Sequence, residues 1–502
     1  MNGRLWLAVI AAATVYFGAV PEADNDLWMH LFVGRWILEH AAIPGVDTLS
    51  YTAAGAPWVD HEWLWQVLAF TGFRLGGSSL LLLLKLGLVA GSVALLARGA
   101  QALWELQPAC RTRQLESLSP WVLGFVLLVA IPVLGRGWAV RPQLVSYLLL
   151  PALFWALARW ELGGRRMLVW TLLPITFACW ANLHGGFVLG VAVLLPFAAS
   201  GLGLGREEFV RRCGLVVLCL AATWVNPYGP GLYLYLADEL GRPHPITEWQ
   251  PVTFDWEHGP FLFFAGAVLA TLPCLPWTWS NGWRAVVALA VLYFAGQHQR
   301  HTPVFVLCAA PLLVVQWQRL VWWLQDRGVH FSIGAQRFLT IGVALVATVQ
   351  VVLAGAHLLE SRGRLVFRTE EYPVGAVSAL QAGGAQGNLA VPLDWGGYVL
   401  WHLAPRVRPS LDGRFATVYP QQVVADNFAF FRAEGSWRRL LEGYPTQAVL
   451  LPAGLVHPIE REPDWHAVYR DRVATLWVQQ RYLSQFAVGA AATPVSAKSF
   501  FP

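Results

Sequence analysis

What most limits the shape this chain can take is the recurrence, from the N-terminus to about residue 358, of apolar stretches long enough to cross a bilayer, roughly 17–25 residues each. In hydrocarbon, such stretches satisfy their backbone polar groups as helices. About eleven can be read, over residues 4–20, 78–98, 119–135, 142–160, 167–183, 186–204, 212–227, 259–277, 282–297, 302–320 and 337–358. The first also reads as a cleavable signal peptide, since Arg4 precedes the apolar run and small residues follow it; either way residue 21 lies outside. Composition agrees: 56% hydrophobic residues, 13% charged ones and a mean hydropathy of +0.48 do not describe a water-soluble domain.

Short Arg-rich loops stay cytoplasmic during insertion. Arg98, Arg111 and Arg113, then Arg159, Arg165 and Arg166, then Arg206, Arg211 and Arg212, then Arg319, Arg327 and Arg337 all fall on one side of an eleven-span arrangement, which is therefore the cytoplasmic side and holds the N-terminus. The other side receives the long first loop 21–77, the links near 136–141 and 183–186, the loop 228–258, the link 297–301 and everything after 358; every histidine except His330 lies on or near it. Beyond 358 the composition turns globular, with strand-like runs at Asn388–Pro392, Val407–Leu411, Ala448–Pro452 and Val473–Val478 between helical stretches. The expected layout is a polytopic α-helical membrane domain over 1–358, a soluble extracytoplasmic α/β domain over 359–482 and a flexible tail over 483–502. The expected location is a bacterial inner (plasma) membrane.

Several functions are excluded. The net charge of +5 comes almost wholly from Arg, with Lys only at Lys85 and Lys498, and no dense basic run would track a nucleic-acid backbone. Cys110, Cys179, Cys213, Cys219, Cys274 and Cys308 lack CxxC or Cys/His ligand spacing and read as small hydrophobes, which removes structural zinc and redox chemistry. Many of the 27 Trp stand where apolar runs meet polar loops, as interfacial rings do, and the others read as packing aromatics.

Ionisable side chains concentrate in the outer links. Asp24, Asp26 and His30 follow the first span, and a helix starting near Asp26 puts Asp26 and His30 on one face. An acid there suits a general base or a cation ligand at the membrane surface; equally, Asp24 or Asn25 caps the helix that carries Trp28 to His40. Asp60, His61 and Glu62 precede an aromatic interfacial helix and either bind a lipid headgroup or only start that helix. Arg136 and Arg141 flank a very short turn, placed to grip phosphate or pyrophosphate, or to snorkel to headgroups. His184 sits in the turn Asn182-Leu183-His184-Gly185-Gly186. The loop 228–258 holds Glu248-Trp249 and Asp255-Trp256-Glu257-His258, and Gln297-His298-Gln299-Arg300-His301 occupies the next link. This density at span ends predicts an outward-facing polar cleft.

The acid in DNDLWMH, followed by GRWILEH and IPGVDTLSY, together with the multi-span layout and soluble C-terminal domain, resembles the GT-C superfamily of membrane glycosyltransferases. The likeness covers nearly the whole chain. Asp394-Trp395-Gly396-Gly397-Tyr398, followed by Ser410-Leu411-Asp412-Gly413-Arg414, is similar to the WWDYG motif of oligosaccharyltransferase catalytic subunits and the segment after it. It departs from the family in lacking the tandem tryptophans, and Arg136 and Arg141 stand where a DxD motif is usual. The resemblance implies a polyprenyl-(pyro)phosphate-linked sugar donor, with its headgroup among Arg136, Arg141 and Arg300, and a glycan, lipid or protein acceptor. It further implies Asp26 as the catalytic acid or a cation ligand, and Glu248 as the loop glutamate that the family uses. A divalent cation, Mg or Mn, would be the family's cofactor, and its usual DxD ligands are not found here. The remaining candidate substrate contacts are His30, His61, Glu62, His184, His301, Asp394, Trp395, Tyr398, Asp412 and Arg414.

A structural reading stands beside these. Asp394 caps the helix near Trp395, Gly396 and Gly397 allow close packing on a strand, and Asp412-Gly413 forms a turn from which Arg414 reaches back to the membrane cavity. Two other functions compete with the enzyme. A transporter of lipid-linked glycans would show broken spans and charges at the membrane midplane, where Lys85 is the obvious ionisable residue. A scaffold for surface-polysaccharide assembly would use the soluble domain as a binding module.

Overall fold

The computed structural model describes residues 3–108, 118–164, 166–242, 245–330, 332–490 and 498–501; Cys110, Arg111, Arg113 and Arg165 lie outside them. The chain divides into two compact units, one of residues 1–20, 82–230 and 243–363, the other of 21–81, 231–242 and 364–502.

The first unit is helical. Among the described residues, six helical segments are long and apolar enough to cross a membrane: Trp63–Glu105, Gln143–Glu161, Arg166–Leu183, Phe187–Leu204, Gln299–Gln325 and Gly334–Glu360. The chain is an integral membrane protein. Helices also occupy the other expected span positions, but Gly3–Gly18, Pro120–Gly135 and Gly259–Ala270 are shorter, and Arg206–Ala222 opens with the charged run REEFVRR. The Trp63–Glu105 helix is broken at Gly76 (φ −144°, ψ 17°) and Gly77 (φ 61°, ψ −161°), a conformation glycine alone adopts without strain. The break separates the aromatic stretch after Glu62 from the apolar run expected to start at residue 78.

Charges inside the first unit are paired, as burial demands. Arg284 Nη1 donates to Glu161 at 2.7 Å, Arg212 Nη1 lies 3.7 Å from the same carboxylate, and Arg212 Nε reaches Glu208 at 3.1 Å. Lys85 Nζ donates to the carbonyl of Val20 at 2.7 Å, just past the end of the Gly3–Gly18 helix.

The second unit carries a five-stranded sheet ordered β3-β2-β4-β6-β5, where β2 is Gly387–Ala390, β3 Val407–Pro409, β4 Ala448–Pro452, β5 Trp465–Arg470 and β6 Ala474–Gln479. β2 runs parallel to both β3 and β4, and β6 is antiparallel to β4 and β5. The Leu393–Leu403 helix crosses over from β2 to β3, as parallel neighbours require. β5 escapes the sequence pattern because it is an edge strand whose inner alternation is broken by a bulge between Ala467 and Tyr469.

Residues 21–81 fold with this sheet. The Asn25–His40 helix, the loop through Leu49 and Trp58, and the Leu393–Leu403 helix share one apolar core with Leu411, Val418 and Tyr419. Tyr51 N donates to Pro409 O at 3.3 Å, and Tyr51 Oη bonds Thr446 Oγ1 at 2.9 Å. The end of the chain departs from the expected flexible tail: β7, Lys498–Phe500, pairs antiparallel with β1, Val366–Arg368, and Phe501 is buried with its ring 4.1 Å from that of Trp28. A Trp–Phe contact buries apolar area that a free tail would leave in water.

Candidate functional site

In the second unit the polar motifs gather at the carboxyl ends of the two parallel strands, where open α/β sheets place their ligands. The DWGGY helix begins just after β2, and Leu411–Arg414 follows β3. Asp24 caps the Asn25–His40 helix, its Oδ1 accepting the Asp26 N–H at 3.0 Å, so the capping role falls to Asp24. Asp26 stands half-buried in the first turn, where the helix dipole favours a carboxylate. A Cβ on Gly413 would lie 2.7 Å from Asp26 Oδ1, and one on Gly397 would lie 3.2 Å from Met29 N. Glycines at these two positions let the loop and the crossover helix close on the Asp26 turn. His30, one turn on, is buried.

The other motif residues serve packing and charge pairing. Asp394 lies in the first helical turn, and the N-cap position belongs to Pro392, which corrects the expected Asp394 cap. Trp395 Nε1 donates to Glu371 O at 2.8 Å, and Tyr398 meets Trp28 edge-on at 4.9 Å; both are buried. Arg414, expected to reach back to the membrane cavity, is buried inside its own unit instead. It donates to Asp412 through Nε at 2.9 Å and Nη2 at 2.7 Å, and to Asp47 Oδ1 through Nη1 at 2.6 Å, while Tyr419 Oη donates to Asp412 at 2.6 Å. Asp412, expected as a substrate contact, is held in the same network. Burial works to raise its carboxyl, but the Arg414 guanidinium outweighs it and keeps Asp412 below the usual range. The physical reason is that a buried guanidinium needs carboxylates on each edge.

Asp60, His61 and Glu62 form a second polar cluster in this unit. Asp60 is buried and accepts from Gln66 Nε2 at 2.9 Å; burial pushes its carboxyl up to about 7 against the pull of that bond and of Arg414. Burial likewise lowers His61 to about 4. His61 Nε2 lies 3.7 Å from Glu62, and its ring lies 5.6 Å from that of Tyr235.

The first unit brings together the loop 246–258, the turn 136–141 and the link 297–301. Arg141 Nη1 donates to Glu248 at 2.8 Å, and Arg136 grips Glu257 twice, at its backbone carbonyl and at Oε1, both at 2.7 Å. Arg300 lies 4.6 Å over the ring of Trp249, and His298 Nδ1 meets the Trp249 carbonyl at 2.8 Å. Arg300 pairs with no carboxylate among the described residues. His301 stands beside them, its ring 5.8 Å from that of His298. Asp255 is held down to about 2, first by the Thr253 hydroxyl and then by the His258 N–H. His184 Nδ1 accepts the Gly186 N–H at 3.0 Å and bonds Ser146 Oγ at 2.7 Å, which leaves the ring proton on Nε2.

Asp47 and Tyr147 are additions that sequence reasoning did not single out. Asp47 stands in IPGVDTLSY but gains its meaning from Arg414, 367 positions away. Tyr147 lies in the electrostatic field of Arg300, Glu248 and Arg141 and joins them into one group. Among the described residues, no three His, Cys, Asp or Glu side chains gather into a cation site, at Asp26 or elsewhere.

No protein-family model matches the sequence, and no curated protein matches it. By structure, the chain is similar to the apo crystal structure of the oligosaccharyltransferase of Archaeoglobus fulgidus, with a TM-score of 0.59 at 12% identity, over 89% of this chain and 69% of that one. A second similar structure is ArnT of Cupriavidus metallidurans bound to undecaprenyl phosphate, with a TM-score of 0.49 at 15% identity, over 95% of this chain and 98% of that one. The first comparison shows that this chain shares its fold with that oligosaccharyltransferase.

Proposed function

We propose that this chain is a GT-C-type membrane glycosyltransferase, which transfers a sugar or glycan from a polyprenyl-(pyro)phosphate-linked donor to an acceptor on the extracytoplasmic side of a bacterial inner membrane. In this reading the chain crosses the membrane eleven times, with the N-terminus cytoplasmic and the C-terminal domain outside. The observation that carries the proposal is the setting of Asp26. Its neighbour Asp24 fills the helix cap, and two glycines from the motif segments close on its turn, so a carboxylate in the first turn of the helix is held where those segments meet.

The chemistry needs one base and one anion site. Asp26 takes the proton of the acceptor O–H or N–H as that heteroatom bonds to the anomeric carbon, and the anomeric carbon–oxygen bond to the phosphate breaks with its electron pair leaving on the phosphate. Within the first unit, Arg300 suits the phosphate of such a donor, with Arg141 and Glu248 orienting the headgroup and His184 Nε2–H as a further donor. Support comes from the shared fold, the motif segments around Asp26 and the charge of Arg300, which has no carboxylate partner among the described residues.

The test is transfer from a polyprenyl-phosphate sugar donor by purified protein carrying Asp26→Asn. General-base removal is expected to lower turnover by roughly 10²–10⁴-fold while the variant stays folded. Turnover at the unmodified rate in a folded variant would remove Asp26 from the mechanism.

A further inference from the structure

Apart from the residues assigned above, the soluble domain holds a cleft of about 470 Å³, lined by the Arg439–Gly443 helix, the turn through Tyr444 and Thr446, and the segments around Glu462, Trp465 and Gln479–Tyr482. Its size falls in the range of small-molecule sites, roughly 300–1,000 Å³. The lining decides the ligand class. Two carboxylates, Glu442 and Glu462, balance two guanidinium groups, Arg438 and Arg481, so the cleft offers no net charge to an anion or a cation.

The polar groups are set on aromatic faces. Arg438 pairs with Glu462 and lies 4.6 Å over the ring of Trp437. Arg481 lies 4.8 Å over the ring of Tyr482, and its Nε donates to Gln479 Oε1 at 3.0 Å. Guanidinium forks held in this way keep further N–H donors in fixed directions, the Glu442 and Glu462 carboxylates supply acceptors, and Tyr444 and Trp465 add apolar surface. A phosphate would need uncompensated positive charge, and a lipid chain would need an apolar wall. A neutral pyranose has what the lining matches: a ring of hydroxyl groups that both donate and accept, and C–H faces that pack on aromatic rings.

We propose that this cleft is a binding site for neutral saccharide, sized for one or two pyranose units. The proposal does not depend on the transferase reading, since the cleft would hold glycan whether or not this chain transfers it.

Saturation-transfer NMR on the full-length protein in lipid nanodiscs tests it, with maltotriose, cellotriose, chitotriose and mannotriose as neutral probes and glucose 6-phosphate as the charged one. At least one neutral trisaccharide is expected to receive saturation, strongest on its ring C–H protons. Glu442→Ala and Arg481→Ala, both at exposed positions, are expected to weaken its Kd by tenfold or more while far-ultraviolet circular dichroism stays unchanged. Three outcomes overturn the proposal: no transfer to any neutral probe, transfer that both variants leave intact, or transfer to glucose 6-phosphate alone.

Discussion

At the scale of single residues, the structure separates charges that are already answered from those that are not. Arg136 and Arg141 are each matched by a glutamate within 2.8 Å, whereas Arg300 rests on Trp249. Arg300→Ala is therefore expected to weaken binding of a polyprenyl phosphate by roughly 10–100-fold, the worth of hydrogen bonds to a charged group, and Arg136→Ala by less. Titration of both purified variants with the lipid phosphate checks the ranking, and equal losses would contradict it. Asp60 gives a pH effect with a definite sign. Its carboxyl is raised from 3.8 to about 7 in the folded chain, so the fold favours the protonated acid. The stability it contributes is present below about pH 4 and is lost as pH rises towards 7, a change on the order of a few kcal/mol. His61 beside it acts with the opposite sign, because burial lowers its pKa. The clean measurement is the difference in Tm between Asp60→Asn and the unmodified protein: it should grow in favour of the variant from pH 5 to pH 7, and a difference independent of pH would refute the buried acid. None of this was legible in sequence. Asp60-His61-Glu62 reads as a polar trio in any chain, and only burial in the folded chain makes Asp60 a weak acid, against the hydrogen bond from Gln66.

At the scale of elements, local signals were read well where the chain acts on itself and poorly where it meets distant residues. The cap at Asp24 and the strands β2, β3, β4 and β6 all follow from residues within a few positions of one another. β5 and β7 do not, since an edge strand with a bulge and a short terminal strand draw their order from partners far along the chain. The terminal strand makes a sharp prediction. Removing residues 498–502 deletes β7 and uncovers Trp28, whose ring stacks on Phe501. Loss of a buried phenylalanine costs about 3–5 kcal/mol, so truncation is expected to lower Tm by several degrees in a scan of the detergent-purified protein. An unchanged Tm would mean that the tail contributes nothing to the fold.

At the scale of the whole molecule, orientation is the claim with the widest reach, and it rests on the distribution of Arg among the loops. In a background lacking native cysteines, Glu460→Cys is expected to react with an impermeant maleimide added to intact cells, and Glu207→Cys only after lysis; both side chains are exposed. The reverse pattern would invert the topology. From the sequence alone came the membrane class, the strands of the C-terminal sheet region and the likeness to GT-C enzymes, because hydrophobic length, strand-like runs and short motifs are properties of neighbouring residues. Tertiary structure alone decided that the first outer loop folds with the C-terminal sheet, that Arg414 is spent between Asp47 and Asp412, and that Arg300 rests on Trp249 with no carboxylate partner among the described residues. Those outcomes depend on which charges are brought within a few ångströms of each other out of water, and the energy of such a meeting is set by distance and burial, which no linear order of residues contains.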